Sequence, residues 1–234
     1  MRGSAPMMFD FETEPQRAPS HSCPAPCSAF RVIVADPPWE YDDGFRGSSH
    51  SGNWHGEITS KPLPYPSMTV KEICALKVSE LADKDCRLWL WTTNKYLPDA
   101  FRVIEAWGFR YRQTLVWHKA DPAPLTGSVT SNGAEFLLVA VRGNPPCKKR
   151  LPSAVIKLPM TKKHSKKPVE WQWLIEQTDD GPRLELFARR KRPGWHVWGN
   201  EIANDVEMPN DRTQRRRATE QPHQPEAAPR RPLE

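Results

Sequence analysis

The tetrapeptide Asp36-Pro37-Pro38-Trp39 contains the residue types in this sequence that are best suited to chemistry. It follows a β-branched run at residues 32–34, which is typical of a buried strand. Two consecutive prolines end that strand, because neither can donate a hydrogen bond to a neighbouring strand. Asp36 and the carbonyl of Pro37 are therefore predicted on a stiff turn at the carboxyl end of a central strand, where α/β sheets usually bind ligands.

A carboxylate beside a rigid carbonyl could accept the two N–H bonds of an aromatic exocyclic amine, such as N6 of adenine. This matters because the lone pair of such an amine is delocalised into the ring, which makes it a poor nucleophile. The indole of Trp39 could stack on the base. An isolated tetrapeptide of this kind fits an ordinary strand end with an Asx-type turn even better, so the rest of the chain must decide.

Strands alternating with helices are predicted along the rest of the chain, which favours an α/β fold with a mostly parallel sheet flanked by helices. A capping box at Thr69-Val70-Lys71-Glu72 predicts the start of a short helix. A second helix is predicted to turn Phe101 and Ile104 inward, and in a third Ser165 caps the helix and Pro168 lies in the first turn. The predicted strands are 87–92, 109–119, 135–141, 183–188 and 195–198, and the second helix is 97–107.

Length and composition favour one sizeable domain at residues 29–202. Residues 1–28 are rich in proline, serine and charge, and residues 203–234 are again polar, so both are predicted to be disordered tails. No apolar run approaches the roughly 20 residues of a membrane span, and the five scattered cysteines suit a reducing cytoplasm. The net charge of +6 is compatible with a polyanionic partner but does not require one.

Two pairs of metal-binding residue types occur near the start of the chain, but neither predicts a metal site. Cys23 and Cys27 have zinc-like spacing, yet no second ligand pair follows them. His50 and His55 lie in a glycine-rich loop without a cluster of carboxylates. Residues 142–167 contain many lysines and arginines but no acid, and are predicted to form a loop returning to the Asp36 end of the sheet. A solvated surface and a contact with phosphates are equally good interpretations of that loop.

Several short motifs are spread through nearly all of residues 30–202. Because of these motifs and their order, the sequence resembles the MT-A70 family of S-adenosylmethionine-dependent adenine-N6 methyltransferases. It looks most like the short bacterial and phage members, because nothing large is added to the core. The motifs are Asp36-Pro37-Pro38-Trp39, Pro64-Tyr65-Pro66-Ser67-Met68, Leu88-Trp89-Leu90-Trp91, residues 132–145, Lys167-Pro168, Glu185-Leu186-Phe187-Ala188-Arg189 and residues 194–201.

The resemblance implies a Rossmann-like fold in circularly permuted order, in which the catalytic motif precedes the strand that binds the cofactor. It also implies S-adenosylmethionine as the cofactor, without a metal. The catalytic residues would be Asp36, Pro37, Pro38 and Trp39, and the adenosine pocket would include Tyr65, Asn132 and Glu135. The cofactor would contact Asp36, Lys167 (through the methionine carboxylate), Glu185, Leu186, Phe187, Arg189, Asn200 and Glu201, the last two at its ribose.

The resemblance leads us to expect a site-specific adenine-N6 methyltransferase that acts on DNA in the cytoplasm. RNA is an alternative substrate, and a catalytically silent, nucleic-acid-binding partner subunit is an alternative of another class. An N4-cytosine methyltransferase is a third alternative, but Asp36, rather than a serine, before the two prolines favours adenine. The chain departs from some relatives at Arg190-Lys191-Arg192, where they have a short polar pair that holds the cofactor.

Overall fold

The computed structural model of the protein describes residues 29–40, 66–119, 133–159 and 166–209. These ranges exclude the predicted tail at 1–28 and the part of the predicted tail 203–234 that begins at residue 210. They also exclude Tyr65, Asn132, Ser165 and both candidate metal pairs. The elements are β1 (Phe30–Ala35), α1 (Val70–Ala75), α2 (Val78–Leu81), β2 (Ala82–Thr92), α3 (Leu97–Ala106), β3 (Arg110–Lys119), β4 (Ala134–Arg142), β5 (Val155–Leu158), α4 (Val169–Thr178), β6 (Arg183–Leu186) and β7 (His196–Trp198).

The strands form one seven-stranded sheet in the order β5-β3-β4-β2-β1-β6-β7. Among these described strands, β4 runs antiparallel to both of its neighbours, and every other pair is parallel. The prediction of a mostly parallel α/β sheet is therefore confirmed. The permuted order is also present, because β1 carries the Asp-Pro-Pro-Trp turn yet pairs with β6, a strand that comes much later in the chain.

Strand β1 is buried on both faces, as its valines and isoleucine predict. Ile33 and Ala35 point into one apolar core, and Val32 and Val34 point into another on the opposite face. Because side chains alternate along a strand, the next residue, Asp36, continues the face of Val32 and Val34. That alternation decides on which side of the sheet the carboxylate emerges.

Helices cover both faces of the sheet. The first core packs against α1 and α3, through Ile73, Val103 and Ile104. The second packs against α4, through Trp171 and Leu174. Asp36, which continues the face of Val32 and Val34, therefore emerges on the α4 side of the sheet.

The inward direction predicted for Phe101 is wrong. Its side chain is 39% exposed and makes an edge-to-face contact with Tyr111, at 5.1 Å between ring centroids. Ile104 is buried as predicted, but Ala100, the residue before Phe101, takes the inward position together with Val103. A shift of one residue rotates a side chain by about 100° around a helix, which is enough to move it from core to surface.

The predicted helix starts are confirmed in one case and corrected in another. Thr69 and Glu72 form the capping box that opens α1, with the Glu72 amide donating to the Thr69 hydroxyl at 3.2 Å. Pro168 occupies the N-cap of α4 and not its first turn. Its fixed φ and missing N–H suit that boundary, and the residue after it begins the helix.

Packed residues continue past the predicted domain end at 202. Val206 and Met208 belong to the first core. The amide of Val197 donates to Asp205 at 3.2 Å, and the amide of Gly199 donates to Asn204 at 2.7 Å. The folded domain therefore extends at least to Met208. Among the described residues, no helix is long and apolar enough to cross a membrane.

The basic stretch at 142–167 returns to the Asp36 end of the sheet as predicted, but it begins at the opposite end and is not a loop throughout. Arg142 pairs with Cys86 near the start of β2, and the amide of Lys148 donates to the carbonyl of Thr178 at the end of α4. Both contacts lie at the opposite end of the sheet from Asp36. The stretch then forms β5, a strand that was not predicted and that runs towards the Asp36 end, and the last residue of the stretch, Lys167, contacts Asp36.

Candidate active site

The turn that follows β1 is fixed by backbone hydrogen bonds. The amide of Trp39 donates to the carbonyl of Pro37 at 2.9 Å, and the amide of Met68 donates to the carbonyl of Pro38 at 2.8 Å. One lone pair of the Pro37 carbonyl is thus used inside the turn, which leaves the second for a ligand. The turn is as stiff as the two prolines predict.

Trp39 belongs to the core below the turn. Its side chain stacks on Tyr96, with 5.1 Å between the rings and 14° between their planes, and its indole N–H donates to the carbonyl of Trp91 at 3.3 Å. Trp39 is only 4% exposed. The structure therefore gives Trp39 a role in supporting the turn, while stacking on a base stays a prediction.

Above the turn, four charged side chains alternate in sign; we refer to them as the charge row. The ammonium of Lys167 lies 2.8 Å from both carboxylate oxygens of Asp36 and 3.3 Å from Glu135. Glu135 in turn lies 2.9 Å from the ammonium of Lys119. The row therefore runs Asp36, Lys167, Glu135, Lys119. Lys167 also lies over the ring of Trp91, at 5.3 Å from its centroid.

The direction of β4 brings these residues together. Asp36 and Lys119 come at the carboxyl ends of β1 and β3. Because β4 runs antiparallel to β2 and β3, its first residues, including Glu135, lie at that same end. Lys167 comes immediately before the N-cap of α4, the helix on this face. A parallel β4 would have carried Glu135 to the far end of the sheet.

The charges in the row strongly affect one another. Burial raises the pKa of Asp36, and the nearby ammonium of Lys167 offsets only part of that rise. Burial alone would raise the pKa of Glu135, but Lys167 and Lys119 hold it below its ordinary value. Burial alone would lower the pKa of Lys167, but Asp36 and Glu135 raise it. Lys167 is therefore held as a cation between two carboxylates.

Glu185 lies beside the charge row on the neighbouring strand β6. It pairs with Val34 of β1 and therefore shares the face of Asp36. The amide of Gln172 on α4 donates to its carboxylate at 2.6 Å. Burial raises the pKa of Glu185 to about 7, a rise to which Asp36 adds and which Arg190 and Arg192 partly oppose. A carboxylate with such a pKa at the end of a central strand is a candidate for ligand binding.

The end of β6 and the residue after it combine tight packing with an unusual backbone conformation. Leu186 is fully buried in the first core, and Phe187 packs on Trp198 at 5.4 Å between ring centroids. Phe187 has a φ of 62°, in the left-handed region that non-glycine residues seldom adopt. Such strain is often found at functional sites.

The predicted ribose-binding pair lies at the surface next to this turn. Asn200 and Glu201 are exposed, and Glu201 lies 3.6 Å from Arg189. Gly199, just before them, packs so tightly that a Cβ would lie 2.2 Å from the carbonyl oxygen of Ala188. The backbone after β7 is therefore held against the backbone after β6, and Glu201 lies beside Arg189.

Two residues of the site were not predicted from the sequence. Lys119 ends a strand with a charge, and Gln172 borders the apolar stripe of α4. Both are polar residues beside apolar ones in the sequence and could have been noticed there. Among the residues that were predicted, the structure brings together Asp36, Glu135 and Lys167 in the charge row. Glu185 lies on the same face. Tyr65 and Asn132 lie outside the described residues.

Comparison with known proteins assigns the chain to a family. The MT-A70 family model matches residues 30–201, and the chain belongs to that family. It is 31% identical to the Type II methyltransferase M.MunI of Mycoplasma sp over 195 residues, which cover 79% of this chain and 83% of that protein. The chain is thus a methyltransferase family member, and the resemblance inferred from its motifs is confirmed.

Larger relatives match the same region. The chain is 29% identical to the N(6)-adenosine-methyltransferase MT-A70-like protein of Arabidopsis thaliana over 191 residues, which cover 78% of this chain but 25% of that protein. It is also 29% identical to the N(6)-adenosine-methyltransferase catalytic subunit METTL3 of Homo sapiens, over 74% of this chain and 28% of that protein. The chain therefore spans about a quarter of the length of these larger relatives.

Proposed function

We propose that the chain is an S-adenosylmethionine-dependent methyltransferase that transfers a methyl group to N6 of adenine in DNA. The observation that best supports this is the Asp36 carboxylate on a rigid turn, held by Lys167 on the same sheet face as Glu185. One carboxylate would orient the acceptor amine, and the other would bind the cofactor beside it.

The residues of the turn would prepare the amine. Asp36 and the second lone pair of the Pro37 carbonyl would accept its two N–H bonds, which draws the nitrogen towards a tetrahedral geometry with an available lone pair. Lys167 and Glu135 would hold Asp36 in place. Because the turn is fixed before the substrate arrives, little reorganisation is needed during the reaction.

The donor chemistry would come from the cofactor, which supplies a methyl group already activated by a positive sulfur. Carboxylate and amide side chains suit its hydroxyl and ammonium groups, and Glu185 and Asn200 supply them on neighbouring parts of the site. When the nitrogen gains the methyl group it becomes acidic. Its proton can then leave to Asp36 or to water, so no strong base is required.

DNA is proposed over RNA because of how the matches are distributed. The similarity to the Type II methyltransferase M.MunI covers most of both chains, whereas the N(6)-adenosine methyltransferases match over about a quarter of their length. This supports the short bacterial and phage type, for which the sequence predicts DNA. The adenine would have to be single-stranded or flipped out of a duplex to reach the turn.

The test is methyl transfer from labelled S-adenosylmethionine to double-stranded DNA, single-stranded DNA and RNA, followed by digestion and identification of the modified nucleoside. N6-methyldeoxyadenosine is the expected product. N6-methyladenosine from RNA alone would replace the DNA proposal, and N4-methylcytosine would overturn the choice of base. Cofactor binding without transfer to any of the three would favour the silent partner subunit.

A variant pair tests the role of Asp36. Asp36→Ala should abolish transfer while binding of S-adenosylhomocysteine, measured by calorimetry, stays largely intact. Asp99→Ala is the matched control, because Asp99 is paired with Arg102 on the surface of α3, away from the turn. Retained turnover in Asp36→Ala would refute the assignment of Asp36.

A further inference from the structure

A polar network joins α4 to the segment after β6, outside the charge row. At its centre is Gln172 of α4, which is buried, with 8% exposure. Its amide N–H donates to Glu185 at 2.6 Å. Its carbonyl accepts from Arg190 at 3.1 Å and from Arg192 at 3.2 Å.

The two arginines fix the orientation of the Gln172 amide. A guanidinium can only donate, so the side-chain atom that faces Arg190 and Arg192 must be the oxygen. The NH2 group must then face Glu185. An amide that could otherwise rotate by 180° is thus held with its donor towards the carboxylate.

Arg192 is itself anchored. It makes a two-pronged contact with Glu176 on α4, at 3.1 and 3.2 Å, and Glu176 also accepts from the indole of Trp195 at 2.7 Å. The Arg190-Lys191-Arg192 segment, the place where the sequence departs from some relatives, therefore turns two arginines towards α4. Such a double contact with one carboxylate is among the stronger side-chain interactions.

We propose that Gln172 is a positioning residue for cofactor binding: held by Arg190 and Arg192, it orients the Glu185 carboxylate towards the cofactor. This inference rests on the proposed function, in which Glu185 binds S-adenosylmethionine. The arginines act through Gln172, and Gln172 acts through Glu185. The segment that departs from some relatives thereby serves the cofactor indirectly.

Two substitutions of similar size at Gln172 test whether it positions the Glu185 carboxylate or only supports the packing of α4. Gln172→Met removes both the donor to Glu185 and the acceptor for the arginines. Gln172→Glu keeps an acceptor for Arg190 and Arg192 but replaces the donor with a second carboxylate facing Glu185. Gln177→Met is the matched control, because Gln177 is an exposed glutamine on the same helix that contacts Lys149.

The measurement is the affinity of the full-length protein for S-adenosylhomocysteine by calorimetry between pH 6 and 9. Both variants at 172 should bind S-adenosylhomocysteine at least about tenfold more weakly. This is the effect expected when one hydrogen bond to a charged group is lost. The midpoint of the pH dependence should also move upward, most in Gln172→Glu, because Glu185 loses a donor that favours its ionised form. The other groups that act on Glu185, namely Arg190, Arg192 and Asp36, are unchanged in these variants.

The outcomes distinguish this inference from the proposed function. If the wild-type protein does not bind the cofactor product, the proposed function fails. If the wild type binds and Gln172→Glu binds equally well with an unchanged pH midpoint, Gln172 only supports the arginines and this inference is refuted. Thermal unfolding of each variant identifies any that is misfolded, and Gln172→Glu then decides the question if Gln172→Met does not fold.

Discussion

Glu185→Gln should make the protein more stable at neutral pH while weakening its hold on the cofactor. Burial raises the pKa of Glu185 from 4.5 to about 7, so above pH 7 the folded state carries a carboxylate that would be easier to ionise in the unfolded chain. Each pKa unit corresponds to about 1.4 kcal/mol, so the ionised Glu185 carboxylate lowers the free energy of unfolding by about 3 kcal/mol. Because the carboxylate is partly exposed, we reduce this to about 2 kcal/mol for solvent screening.

The sign of the pH dependence follows from the raised pKa. Below about pH 4.5 the carboxyl is protonated in both states, and it costs nothing. Between about pH 4.5 and 7 the unfolded chain ionises first, so the cost grows, and above pH 7 it is complete. Replacement by the neutral glutamine removes the cost, so the gain in stability should be present at pH 8 and nearly absent at pH 4.5.

Thermal unfolding of the cofactor-free protein at pH 4.5, 6 and 8 measures the effect. At pH 8 a gain of about 2 kcal/mol corresponds to a rise in Tm of about 4–8 °C for a domain of this size. Glu105→Gln, at an exposed position on α3, is the control and should change the Tm by about 1 °C or less. A Tm for Glu185→Gln at or below that of the wild type at pH 8, or an equal gain at all three pH values, would refute the reasoning.

Two further predictions concern the charge row and the turn beside Asn200. Lys167→Met should lower the stability of the cofactor-free protein by about 2–3 kcal/mol, because Asp36 loses its cation. Lys119→Met should lower that stability by about 1 kcal/mol or less. Chemical denaturation at pH 7.5 measures both, and equal losses would contradict the central position of Lys167. Gly199→Ala should destabilise the protein by about 1–3 kcal/mol and weaken cofactor binding, because its new Cβ would meet backbone at 2.2 Å. Gly133→Ala, where a Cβ meets nothing within 4 Å, should leave both thermal unfolding and binding unchanged, and a harmless Gly199→Ala would disprove the close approach.

The strand and turn around Asp36 show how far sequence reasoning extends. A β-branched run followed by two prolines allows few local conformations, and β1 with its rigid turn has the predicted form. The capping box at Thr69 is similarly local and is similarly present. The inward direction of Phe101 failed because neighbouring helical positions are both apolar, and only the packing of α3 on the sheet selects one stripe.

Lys167 shows where sequence reasoning stops. The sequence and its resemblance indicated that this lysine belongs to the site, and the methionine carboxylate of the cofactor remains its predicted partner. In the structure its ion-pair partners are Asp36 and Glu135, and Asp36 lies 131 positions away in the chain. No local pattern encodes such a contact, because it depends on how separate strands are ordered in the sheet.

The sequence by itself determined the family, the alternation of strands and helices, and the residue types at the site, because these depend on local spacing and composition. Only the tertiary structure decided that β4 runs antiparallel, which carries Glu135 to the end of the sheet where Asp36, Lys167 and Lys119 meet. It also decided that the two arginines contact Gln172 and that Gln172 contacts Glu185. Such charge and hydrogen-bond partnerships arise from long-range strand pairing and helix packing, and those are properties of the whole folded chain.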